Sequence, residues 1–142
     1  MGISVGIDLG TSNSCVAVFK DGEVVVLSDA KGRNTQPSVV AFGHGSHVVV
    51  GHKAKRQLAY APENTVSSAK RLMGRRFNSD QVQRISETTA YRIVEGPNDD
   101  PRVQIQDRNY SLPEVSAHIL RHMRKIAENA TNEVVDRAVI TV

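Results

Sequence analysis

An α/β fold follows from three stretches of the 142-residue sequence. Residues 5–19 form an apolar run broken once by a small polar turn, with β-branched residues alternating on both sides, which is the pattern of a strand hairpin. From Leu112 onward, Val115, Ile119, Met123, Ile126 and Ala130 recur at spacings of three and four, the period of an amphipathic helix. Arg137-Ala138-Val139-Ile140-Thr141-Val142 then reads as a nearly continuous apolar strand of the kind buried inside an α/β sheet. That helix and strand need a sheet to join, and the opening hairpin is the only good candidate. The two ends of the chain are therefore expected to build one layer, with the middle as a smaller inserted α+β unit. A core strand at the last residue, with no turn or helix after it, also reads as a chain cut short.

The hairpin carries the chemistry. Val5 and Ile7 precede the turn, Val16, Val18 and Phe19 follow it, and Gly10-Thr11-Ser12-Asn13 lies between them. Gly10 is expected to take dihedrals closed to residues with a Cβ and to leave the backbone uncovered, so that successive N–H groups converge on an anion. Thr11, Ser12 and Asn13 add donors at the same point. Asp8, just before the turn, offers a carboxylate to the water shell of a divalent cation that also touches a phosphate. The same four residue types also make an ordinary hairpin turn, so spacing alone leaves both readings standing.

In order along the chain, Asp21-Gly22 is a tight-turn dipeptide and 23–27 a third strand, completing a meander. The polar loop 28–37 ends in Pro37, which holds Gln36 extended and marks a boundary. Short strands are expected at 38–42 and 47–51, and a short helix at 52–60 ahead of Pro62. Asn64-Thr65 is expected to cap a helix over 66–73 that Gly74 terminates, and Ser79-Asp80 to cap another running to Thr88. Strands at 91–94 and 102–105 flank the loop 96–101, with a third segment near Asn109-Tyr110. Ser111-Leu112-Pro113-Glu114 is a capping box with proline in the first turn.

Composition narrows the function classes. With 39% hydrophobic and 23% charged residues the chain is an ordinary soluble type; no stretch approaches a membrane span, and the start lacks the basic flank of a signal peptide, so a cytoplasmic address is expected. Cys15 is the only cysteine, which excludes an intrachain disulfide and fits a small buried residue in a reducing compartment. The net charge of +3 is uneven: from Lys53 to Arg84 eight cations face only Glu63 and Asp80, which makes that segment +6 and leaves −3 for the rest. With three Tyr, three Phe and no Trp in the whole chain, the segment lacks interleaved aromatics and reads as a solvated or nucleotide-facing basic cluster, not a nucleic-acid site. Arg71, Arg75 and Arg76 fit surface or nucleotide-rim roles. His44, His47, His52, His118 and His122 show no metal-ligand spacing with Cys or acidic partners, although His118 and His122 share a helical face.

The string Ile7-Asp8-Leu9-Gly10-Thr11-Ser12-Asn13-Ser14 resembles the first phosphate loop of the seventy-kilodalton heat-shock chaperones, the bacterial DnaK type, within the actin-like ATPase superfamily. Further matching stretches are 34–38, 50–57, 64–65, 70–77 and 138–142, so the resemblance runs from about Ile3 to Val142 and weakens between about Ser86 and Asn109. Ser12 stands where threonine is more usual and keeps the hydroxyl. The resemblance implies an actin-like, ribonuclease-H-like half-lobe built from 1–38 and 112–142, with 39–111 as an inserted peripheral subdomain. It implies an ATP hydrolase that binds ATP or ADP with Mg, and K as a further candidate, at Gly10, Thr11, Ser12 and Asn13, with Asp8 on the metal side. Lys70, in the string Ala69-Lys70-Arg71-Leu72, takes the catalytic position that reaches the γ-phosphate and attacking water.

For the parent chaperone the resemblance implies unfolded polypeptides, a J-domain co-chaperone and a nucleotide-exchange factor as partners, without nucleic acid or membrane. The second phosphate loop, adenosine pocket and further acidic residues of the family are absent from these residues, so weak ATP affinity and no meaningful turnover are expected of this chain alone. Two other classes share the hairpin: an actin-like sugar kinase or polyphosphatase, tested by sugar-dependent ATPase activity, and a non-catalytic actin-like filament protein, tested by ATP-dependent pelleting. The Lys70 string and the 39–111 insert argue against the kinase.

Overall fold

A computed structural model describes residues 1–141, and Val142, the final residue of the predicted terminal strand, lies outside the described residues. Its first sheet has the order β11-β1-β2-β3, where β1 is Ile3–Leu9, β2 Asn13–Lys20, β3 Glu23–Val26 and β11 Val135–Thr141. β11 runs parallel to β1, and the meander β1-β2-β3 is antiparallel. The turn between β2 and β3 has both Asp21 (φ 51°) and Gly22 (φ 81°) left-handed. Such a turn matches the right-handed twist of the two strands it joins. A two-residue strand that the sequence reading lacked, β4 (Gln36–Pro37), pairs with the start of β2.

The helix α3 (Leu112–Thr131) packs on this sheet. The Ser111 hydroxyl accepts from the Glu114 N–H at 3.2 Å, satisfying one of the free donors of the first turn, and Asn132 in the left-handed region ends the helix. Its buried stripe joins Met123, Ile126 and Ala127 to Val5, Ile7, Val16, Val18 and Val135. Ala130, the last member of the predicted stripe, is exposed in the final turn of the helix, while Ala127 is buried on the inner face.

Two three-stranded antiparallel sheets come from the middle of the chain. One is β6-β5-β7, made of Val48–Val50, Val39–Phe42 and Thr65–Ser67; the other is β10-β9-β8, made of Arg108–Tyr110, Pro101–Ile105 and Arg92–Glu95. Helix α1 (His52–Gln57) follows β6, and α2 (Asp80–Thr88) starts at Ser79, whose hydroxyl accepts from the Val82 N–H as the sequence leads one to expect. A single apolar cluster runs from Leu9 through Val40, Phe42, Leu72 and Val103 to Leu112, Val115 and Ile119. Each fully buried aliphatic side chain of this kind contributes roughly 1.5–3 kcal/mol. The end of β1, the middle sheets and the start of α3 are therefore held by one core.

Two further sequence expectations are corrected. The helix expected over 66–73 is instead β7 followed by a single 3-10 turn, Ala69–Leu72. Thr65 and Val66 are β-branched and pair with Ala41 and Val40 of β5, and Ser68 at φ 56° breaks any helical path. Asn64 closes the 3-10 turn Pro62–Asn64 and caps nothing. The terminal strand, expected to be buried, is an edge: Val135 is buried, whereas Val139 and Ile140 are 72% and 42% exposed. Among the described residues only β1 pairs with it, so its other edge is open, and both faces of such a strand are buried only where helices cover both sides of the sheet.

Candidate functional site

The β1–β2 register closes with Leu9 opposite Ser14, so residues 10–13 make the turn. Glycine is required at position 10 by close approach, because a Cβ there would collide with the carbonyl oxygen of Asn13. Its φ is not among the left-handed glycines, so space and not an unusual dihedral selects the residue. The turn is held from below by buried hydroxyls that the sequence reading assigned no role. Ser38 donates its hydroxyl to the Gly10 carbonyl at 2.8 Å, and its N–H donates to the Ser12 carbonyl at 2.9 Å. A serine hydroxyl has one proton. Ser14, 2.8 Å from the Ser38 oxygen, is therefore the donor of that contact. Ser14 lies in the apolar strand β2 and Ser38 just before the apolar strand β5, and a hydroxyl buried in such surroundings is bonded.

Lys70 reaches the same place from far along the chain. Ala69 and Leu72 of its 3-10 turn are buried and anchor it, and the half-buried Lys70 donates from Nζ to the Leu9 carbonyl at 2.8 Å. Leu9 is the residue before Gly10. The preceding segment is fixed by Tyr91, whose hydroxyl donates to the Ser67 carbonyl at 2.8 Å. Burial pushes the Tyr91 phenol up to about 12, against the opposing charge of Arg71, so it remains a donor at neutral pH.

Thr11, Ser12 and Asn13 line a cavity of about 180 Å³ together with Ser38, Lys55, Ser67 and Ser68. Lys55, Ser67 and Ser68 had no site role in the sequence, since nothing local ties α1 or β7 to the turn. The Thr11 and Ser12 N–H groups donate to no protein acceptor among the described residues. Backbone donors left free at a turn, with Lys55 on the same cavity wall, form an anion-binding arrangement. Asp8 lies on the exposed face of β1 and outside this lining, where the Thr141 hydroxyl donates to its Oδ1 at 3.1 Å. The structure thus sets Thr11, Ser12 and Asn13 on one cavity wall, with Gly10 beside them in the turn, Lys70 bonded to Leu9 at its start, and Asp8 one residue before Leu9 on the exposed face of β1. Cys15 is half-buried opposite Asp8. No three His, Cys, Asp or Glu side chains cluster as a metal site among the described residues. No helix among them is long and apolar enough to cross a membrane.

Residues 4–142 match the family model described as Hsp70 protein. The chain belongs to the Hsp70 family. Hsp70 proteins are chaperones with a nucleotide-binding ATPase domain, and the 10–13 turn, Ser38 and Lys70 all fall inside the matched residues. The α/β architecture described above is compatible with the actin-like ATPase fold of Hsp70 proteins.

Proposed function

We propose that this chain is the N-terminal part of the ATPase domain of a cytoplasmic, DnaK-type Hsp70, and that residues 10–13 receive the terminal phosphates of ATP. The observation that supports this reading is the junction of Lys70 with the turn: an ammonium 2.8 Å from the carbonyl of Leu9, the residue before a turn whose Thr11 and Ser12 N–H groups have no protein acceptor among the described residues. Residues 1–38 and 112–142 act as the half-lobe in this reading and 39–111 as its peripheral subdomain, in keeping with a first sheet drawn from both ends of the chain.

The donor set fits phosphate. Gly10 keeps the turn tight, Thr11 and Ser12 offer both N–H and hydroxyl groups, and Asn13 adds a carboxamide. Lys70 uses one ammonium hydrogen on Leu9 and keeps two for phosphate oxygen or water. Asp8 would accept from the water shell of a divalent cation bound with the phosphates. Bound Mg-ATP supplies the γ-phosphoryl group and a cation that spreads its charge. The protein contributes position and compensating charge, the main requirements of phosphoryl transfer to water. In the whole chaperone, hydrolysis controls the holding and release of unfolded polypeptides, with a J-domain co-chaperone and a nucleotide-exchange factor as partners.

Backbone NMR of the 142-residue chain titrated with Mg-ADP and Mg-ATP tests the reading at any affinity. Thr11, Ser12 and Asn13 amides are expected to shift saturably, and Thr11→Ala to weaken the response. Saturation with shifts confined to other segments, or no shift at millimolar nucleotide in a folded sample, overturns it.

A further inference from the structure

A second, larger cavity of about 540 Å³ shares no lining residue with the turn. Its wall combines the loop 29–36, β6, the start of α1 and the outer face of α3. Four permanent cations meet there, Arg33, Lys53, Arg121 and Lys125, against one carboxylate, Asp29. That carboxylate is already committed. It accepts from the Arg33 guanidinium at 2.8 Å, the Gln36 amide at 3.1 Å, and the N–H groups of Lys31 and Arg33. Among the described residues, Lys53, Arg121 and Lys125 have no carboxylate within 4.0 Å.

Arg121 and Lys125 are four apart on α3, an arrangement of like charges that weakens a helix. Adding Lys53 from another element sharpens the repulsion, and a concave wall concentrates the resulting potential. We propose that this cavity binds a small soluble oxyanion carrying two or more negative charges, of the phosphate-monoester or short-polyphosphate class. The volume is that of a small-molecule site. Charge-assisted bonds from Arg121, Lys125 and Lys53 supply the affinity, with the His122 ring as a further donor once protonated. His122 lies against Gly51, where a Cβ would stand 3.0 Å from its Nε2, and its Nε2 is 3.4 Å from the Gln36 Oε1. Burial holds the His122 pKa below its ordinary value; Asp29 opposes this, while Lys125 and His52 add to it. An anion in the cavity reverses that cationic contribution.

Calorimetric titration of the chain with sodium tripolyphosphate, run beside histidine NMR, tests the site. Arg121→Ala/Lys125→Ala and Lys53→Ala are each expected to weaken binding by about tenfold or more, the usual effect of losing a charge-assisted bond. Thr11→Ala and Lys70→Ala are expected to leave the tripolyphosphate-induced His122 shift in place, which separates this site from the phosphate turn. Tripolyphosphate is expected to raise the His122 pKa. The proposal is overturned by binding that Thr11→Ala abolishes, by binding indifferent to the Arg121 and Lys125 changes, or by no binding to a folded chain at millimolar tripolyphosphate. The three cations are exposed, so the variants are expected to keep the wild-type circular dichroism.

Discussion

The Nζ of Lys70 lies 2.8 Å from the carbonyl oxygen of Leu9, a contact across 61 positions of sequence that seats an ammonium at the mouth of the first hairpin. Lysine usually extends into water. Here Ala69 and Leu72 hold the short turn against the core and point its side chain along the end of β1.

If Lys70 serves the γ-phosphate, Lys70→Ala weakens Mg-ATP binding by roughly tenfold and leaves Mg-ADP nearly unchanged, because only ATP presents the third phosphate. Calorimetry with both nucleotides on the wild-type chain and the variant measures the difference. Equal loss for ATP and ADP would place Lys70 elsewhere in the site.

At position 10 the added methyl of Gly10→Ala meets the Asn13 carbonyl, which is backbone and cannot swing aside. The turn must open, with a cost of about 1–3 kcal/mol typical of overpacking. Urea denaturation is expected to show that loss, and the Thr11 and Ser12 amide shifts with Mg-ADP are expected to disappear.

The serine relay makes an ordered prediction. Ser38→Ala strands both the Gly10 carbonyl and the Ser14 hydroxyl and is expected to cost about 1–3 kcal/mol. Ser14→Ala leaves the Ser38–Gly10 bond intact and is expected to cost less, about 0.5–1.5 kcal/mol. Denaturation midpoints in the reverse order would show that Ser14, and not Ser38, holds the turn.

Both histidines on the outer face of α3 have pKa values pushed down. For His118 the causes are burial and then Arg121, opposed by Glu114; for His122 they are burial, opposed by Asp29, and then Lys125 and His52. The unfolded chain titrates them near 6.5, above the folded values, so the unfolded state takes up more protons in that window. Stability is therefore full above about pH 6.5 and falls as the pH drops through the folded values. Thermal melts between about pH 7.5 and 5.5 are expected to show the decline, and His122→Gln to make it shallower.

Local pattern made much of this fold readable. The alternation in β1 and β2, the Asp21-Gly22 turn, the Ser79 and Ser111 caps and the 3.6-residue stripe of α3 are all short-range signals, and each specifies its element within a few residues. The turn residues and the lysine string were legible as a family pattern, and the chain's membership in the Hsp70 family agrees with that pattern. The helix expected over 66–73 does not form because pairing of Thr65 and Val66 with β5, which local capping signals do not carry, outweighs a short helix.

What the sequence determined alone is therefore the set of elements stabilised by neighbours in the chain, together with the motif at the hairpin. Tertiary structure decided that Lys70 meets Leu9, that Ser38 supports Gly10, that Thr141 of the terminal strand bonds Asp8, and that Lys53 joins Arg121 and Lys125 around one wall. Those outcomes depend on contacts between residues tens of positions apart, which form only when the shared apolar core fixes the sheets and α3 against one another.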